Sequence, residues 1–176
     1  MPDFPDYGVQ RSSGEVISIA AALSGISVTA PSNAAWTAAN RAIYVPVRIP
    51  YRVTIFQIVI GAGATASGNF DVGIYTKDGT RVVSSGSTAK GSLVEQVVDI
   101  TDTDVGPGLY YLAMAADGTD AYSQYAFLGA SPINLQKARM SGALMEESAF
   151  PLPATATMVA LTAATLPAML ALQRSL

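Results

Sequence analysis

The chain has 176 residues and a mass of 18.2 kDa, a formal net charge of −3, and only 13% charged residues against 50% hydrophobic ones. An ordinary soluble domain is about 25% charged, so a surface this poor in charge predicts extensive coverage by partners, while ten scattered Lys and Arg residues argue against nucleic-acid binding. The absence of Cys excludes disulfides, zinc–thiolate sites and thiol nucleophiles, and the absence of His removes the usual general base and the commonest transition-metal ligand.

Residues 1–15 are polar and contain Pro2, Pro5 and Gly8, a composition that predicts an extended N-terminal arm ahead of a single domain over 16–176. Acidic residues and prolines stand where a secretion signal needs a basic region and an apolar run, so no such signal is expected. The apolar stretches "VISIAAALSGISV" (16–28) and "MVALTAATLPAMLAL" (158–172) are shorter than the roughly 20 residues that span a bilayer. Ser, Thr or Pro interrupts each, and they predict buried strands or a subunit interface rather than membrane insertion.

From Val16 onward, short apolar runs alternate with turn residues. "SNAAWTAANRA" (32–42) suits a helical turn. "YVPVRIP" (44–50) reads as an edge strand or a connection, because Pro46 and Pro50 cannot donate to a ladder. "RVTIFQIVIG" (52–61) is apolar on both alternation phases and predicts a central strand covered on both faces. After the small-residue loop "AGATASG" (62–68), period-two alternation places Phe70, Val72 and Ile74 on one face of a strand and Asp71, Gly73 and Tyr75 on the other. Asp78-Gly79 predicts a two-residue type I′ hairpin returning through "RVV".

"SLVEQVVDI" (92–100) is a further strand, "TDTDVGPG" (101–108) a polar turn, and "LYYLAMAA" (109–116) a strand whose consecutive Tyr110 and Tyr111 face opposite sides. "NLQKARMSGALM" (134–145) suits a short helix or an irregular segment. Strands at this spacing predict an all-β fold, an antiparallel sandwich of jelly-roll type.

The candidate chemistry is sparse. Asp78, Asp102, Asp104, Asp117 and Asp120 fall in predicted loops, where carboxylates can ligate calcium, but Asp is also a turn former and no complete ligand pattern accompanies them. Glu95 and Asp99 share one face of a strand about 13 Å apart by strand rise, beyond the roughly 5 to 9 Å that a glycosidase pair needs. Glu146 and Glu147 sit together in a predicted loop. Ser12, Ser13, Ser84, Ser85 and Ser87 lack a histidine or an SxxK lysine to activate them, and "GAGATASG" lacks the GK[ST] of a phosphate loop. No catalytic residue, cofactor or metal is therefore expected. Trp36, Tyr75, Tyr122 and Tyr125 are candidate glycan contacts if their rings share an exposed face, with core packing as the competing role.

The segments "NRAIYVPVRIP", "GNFDVGIYTKDGTRVVSSGSTAKG" and "VVDITDTDVGPGLYYLAMAADGT", with Trp36 a few residues upstream, give the chain a resemblance over roughly residues 36–120 to β-sandwich structural proteins of tailed bacteriophages, of the minor tail, fibre and head-decoration types. The motifs that carry it are structural, so no site residue transfers. The resemblance implies a non-enzymatic virion component, assembled in the host bacterial cytoplasm as a homo-oligomer, often a trimer, that docks on capsid or tail proteins. A carbohydrate-binding or host-receptor-binding module is the alternative, with a host-surface glycan as partner in place of nucleic acid or membrane.

Overall fold

Val, Ile, Thr and Tyr clustered between Gly, Pro and Asp favour short pleated strands over helices. A computed structural model describes residues 15–18, 26, 28, 30–92, 95–127 and 131–175. The N-terminal arm expected over 1–15 lies outside the described residues except for Glu15.

Strands are numbered in chain order. One sheet contains β1 (Glu15–Ser18), β4 (Val53–Gly61), β8 (Glu95–Val105) and β14 (Met169–Ser175), in the order β1-β14-β4-β8. A second contains β3 (Ala42–Ile49), β5 (Asn69–Thr76), β6 (Arg81–Ser84) and β9 (Gly108–Ala116), in the order β3-β9-β5-β6. It is extended beyond β3 by β11 (Leu144–Glu146) and β12 (Val159–Ala160), while β7 (Thr88–Ala89) pairs with the start of β5. A small third sheet joins β13 (Thr165–Pro167), β10 (Ala121–Ala126) and β2 (Ser32–Ala35), and α1 covers Ser131–Met140.

Counted along the chain, β1, β3, β4, β5, β6, β8, β9 and β14 are the first to eighth strands of the two main sheets. They pair antiparallel as first with eighth, second with seventh, third with sixth and fourth with fifth. This nested pairing is the jelly-roll order, so the expected sandwich and its topology are both present.

Inward alternate residues of the two sheets build the main core, among them Ile43, Val45, Phe70, Val72, Ile74, Leu112 and Met114 facing Ile55, Ile58, Ile60 and Ala171. Each large aliphatic removed from water this completely contributes about 1.5–3 kcal/mol before entropy is counted. The outer face of the larger sheet forms a second cluster of Ala42, Tyr44, Tyr75, Ala113 and Ala115, covered by Ala149 and Leu152 from the strap over residues 147–158. β5 is consequently buried on both of its alternation faces. Tyr110 packs on the main core and Tyr111 on the second cluster, the opposite placement expected of neighbours on a strand.

Several local expectations are corrected. The β5–β6 connection is a three-residue loop, Lys77-Asp78-Gly79, in which the Gly79 N–H donates to Thr76 O at 3.1 Å and the Thr76 N–H to Thr80 O at 2.9 Å. Gly79 has φ 84°, whereas Asp78 is not among the residues with positive φ, so a type I turn with a glycine bulge replaces the two-residue type I′ turn. A Cβ on Gly79 would also meet Ala156 O at 2.7 Å, which ties the glycine to the strap.

The segment 101–105 continues β8 rather than turning. β4 carries a bulge between Ile55 and Gln57, and beyond it Val53, Thr54 and Ile55 pair with Val105, Asp104 and Thr103. The same bulge resets the alternation of β4 from Val53 and Ile55 to Ile58 and Ile60, the physical source of apolar residues on both phases. β4 is central in its sheet, but its outward residues are half-buried rather than covered.

β3 is interior only where Ala42, Ile43 and Tyr44 pair with β11; from Val45 onward, past Pro46, it pairs with β9 alone. Residues 32–35 form strand β2, followed by a turn with Asn40 at φ 58°, in place of a helical turn. Segment 134–145 does contain helix, most of α1. Segment 158–172 supplies β12, β13 and most of β14, one in each of the three sheets; β13 and the start of β14 are buried or half-buried as expected, whereas both residues of β12 are exposed. Among the described residues no helix is long and apolar enough to cross a membrane.

Candidate interaction surface

The outer face of the four-stranded sheet follows from its register. Residues directly opposite in an antiparallel pair share a face, so Leu170, Val59 and Val97 form one row across β14, β4 and β8. The next row holds Leu172, Gln57 and Asp99, with the Gln57 amide donating to Asp99 Oδ1 at 2.6 Å. Farther along, Thr54 Oγ1 donates to Asp104 Oδ1 at 2.7 Å and Arg52 pairs with Asp104 at 3.5 Å. The face is thus polar towards the β3–β4 connection and apolar towards Gly61. Val97 is 56% exposed at the end of the apolar row, whereas Val59, Leu170 and Leu172 are half-buried.

At the Gly61 end, this face meets the small sheet. Alternation along β10 buries Tyr122 and Gln124 and turns Ser123 and Tyr125 the other way. Gly61 lets the two sheets approach, since a Cβ there would lie 2.3 Å from the Ser123 Cβ. The result is a groove of about 300 Å³ lined by Val59, Leu170, Tyr125, Ser123 and Glu95 together with Gly61, Pro31 and the start of β14.

The four candidate glycan rings are not brought together on a surface. Trp36 is 2% exposed and packs edge-on against Tyr122 with ring centroids 5.6 Å apart; its indole N–H donates to Arg41 O. Tyr122 in turn meets Phe70 edge-on at 6.3 Å. Tyr75 is fully buried against Tyr44 at 5.1 Å. Trp36 and Tyr122 are taken up by the main core and Tyr75 by the outer-face cluster that the strap covers, and Tyr125 alone of the four lines the groove. Burial pushes the Tyr44, Tyr75 and Tyr122 hydroxyls well above the ordinary tyrosine range, reinforced at Tyr44 by Glu146 and at Tyr122 by the charges of Asp120 and Asp117.

The acidic residues also find local duties. Asp117 accepts from the backbone and side-chain amides of Asn69 at 2.9 Å each, and Asp120 from Ser67 Oγ at 2.5 Å, holding the loop before β5. Asp78 pairs with exposed Lys77, Glu146 accepts from the Tyr44 hydroxyl at 2.8 Å, and Glu147 pairs with Arg41. Among the described residues no group of three or more acidic side chains is placed to hold a metal ion.

Asp71, a residue without an assigned role in the sequence reading, is fully buried beneath the strap. It accepts from the Leu152 N–H at 3.0 Å and Ser85 Oγ at 3.1 Å. Burial raises its pKa above the ordinary 3.8, against the opposing pull of those hydrogen bonds and of Arg81. The strap closes this carboxylate off, so it acts as a clamp. Lys90 is also buried, with its ammonium 4.7 Å over the Tyr122 ring.

The surface residues that the sequence reading passed over are Val97, Val59 and Leu170. The signal for Val97 was present in "EQVVDI", where Glu95, Val97 and Asp99 share a phase and an apolar residue stands among acids. No family model, curated protein or solved structure matches this chain.

Proposed function

We propose that the protein is a non-enzymatic structural subunit of a bacteriophage particle, which oligomerises and docks on other virion proteins through the outer face of its four-stranded sheet. The observation that carries this reading is Val97, 56% exposed beside Val59 and Leu170 on the outer face of the sheet. An apolar row with an exposed end and a polar surround is the chemistry of a subunit contact. The jelly-roll order is shared by viral capsid and lectin domains, which supports the reading by fold-level analogy. The charge-poor composition and the resemblance over residues 36–120 point the same way.

Light scattering coupled to size-exclusion chromatography, together with detection of the chain in purified particles, tests the proposal. The wild type is expected to run as an oligomer and to be present in particles at a fixed copy number. Val97→Asp is expected to give a monomer that still unfolds in one cooperative thermal transition, because the exposed position adds no buried charge to the fold, with a midpoint lowered only by the loss of association. A monomeric wild type, indistinguishable from the variant and absent from particles, overturns it.

A further inference from the structure

The groove at the Gly61 end has a chemistry that the apolar row lacks. Besides the Tyr125 hydroxyl, its side-chain polar groups are poised as acceptors: the exposed Glu95 carboxylate, and Ser123 Oγ, whose hydrogen is directed to Asn33 Oδ1 at 3.1 Å. None of the ion pairs among the described residues uses Glu95. Glu95 is the one charged side chain among the described residues that line the groove, so the groove carries a negative charge, while Asp99 and Asp104 lie farther along β8 and are engaged by Gln57 and by Thr54 and Arg52. The walls are Val59, Leu170 and the half-buried ring of Tyr125. A ligand complementary to this groove brings hydrogen-bond donors, positive charge and an aliphatic stem.

We infer that the groove takes a Lys or Arg side chain presented by a partner protein. The cationic head meets Glu95 and the face of Tyr125, and the methylenes lie along Val59 and Leu170. This rests on the outer face being the docking surface and adds the partner's chemistry, a basic segment whose register is set by the groove.

Titration of the ¹⁵N-labelled full chain with N-acetyl-lysine methylamide tests it, with N-acetyl-norleucine methylamide and a methyl glucoside as comparison ligands. The lysine compound is expected to shift the amide signals of Gly61, Glu95, Ser123 and Tyr125. Binding should weaken about two- to fivefold in Glu95→Gln, the range of an exposed ion pair, and fall further with added salt. Tyr125→Leu, which keeps an apolar wall but removes the ring, is expected to weaken it independently. Equal shifts from the norleucine compound, shifts from the glucoside in place of lysine, or no shifts from any ligand each overturn the inference. If Val97→Asp abolishes oligomerisation while the lysine compound leaves the spectrum unchanged, the docking face stands and only the basic partner is lost.

Discussion

The two main sheets treat their outer faces in opposite ways. On the larger sheet, the strap over 147–158 lies across Tyr44, Asp71 and Tyr75 and is fastened by backbone as well as side chains. The Arg81 N–H donates to Ala154 O at 2.9 Å, the Ala156 N–H to Gly79 O at 2.8 Å, and the Ala149 N–H to Asn40 O at 2.6 Å. Tyr75 OH and Arg81 Nη1 donate to the carbonyls of Pro153 and Leu152, each at 2.5 Å. The four-stranded sheet has cross-strand polar pairs at one end of its outer face and an apolar row reaching exposed Val97 at the other. Polar groups under the strap are buried and therefore must be matched within the chain, whereas those on the open face keep access to water or to a partner. The contrast teaches that an apolar outward residue is stabilising only where something covers it.

Substitutions on the two faces should separate accordingly. Leu152→Ala, under the strap and 1% exposed, is expected to cost about 2–5 kcal/mol in chemical denaturation, the range for truncating a buried leucine; a loss comparable to that of a surface change would show that the strap is not part of the cooperative fold. Asp71→Ala leaves the buried Leu152 N–H without its acceptor and should cost about 1–3 kcal/mol, measured in the same way.

Asp71→Asn keeps an acceptor and removes the ionisation. Because burial raises the folded pKa of Asp71 above 3.8, the native state retains a proton that the unfolded chain has already released. Its contribution to wild-type stability therefore falls as pH rises through that interval, and its burial penalty is fully in force above the folded pKa. Stability of the wild type relative to Asp71→Asn should decline with rising pH and then level off. A difference independent of pH would break this assignment.

Tyr75→Phe, which removes the hydroxyl that donates to Pro153 O and keeps the ring, is expected to lose about 1 kcal/mol and to leave the ring packing against Tyr44 intact, as judged by thermal unfolding and near-ultraviolet circular dichroism. Val97→Thr, on the open face, should change monomer stability by less than about 0.5 kcal/mol while weakening self-association measured by light scattering. A large stability loss there would mean that the chain itself covers the face.

The strands and their alternation were readable because period-two patterning is a local property. Phe70, Val72 and Ile74 lie on the core face as their spacing requires, and Glu95 shares an outward face with Asp99. The turn at Asp78-Gly79 was recognisable, but its type was not: whether Lys77 joins the loop depends on register with β6 and on the strap carbonyl of Ala156 beside Gly79. The β4 bulge was hidden because both phases of "RVTIFQIVIG" are apolar, and only pairing with β8 on both sides of Phe56 reveals the slip.

The residue chemistry of the chain, without Cys or His and with strand-forming runs between turn residues, determined an all-β sandwich and narrowed the chemistry open to it. Tertiary structure decided which aromatic rings are buried, which carboxylate is clamped and which face stays open. Asp71 meets the Leu152 N–H across 81 residues of sequence, and the groove joins Tyr125 of one sheet to Glu95 of another. Burial and convergence of this kind depend on long-range packing between segments, and local patterning holds no record of which distant segment will arrive.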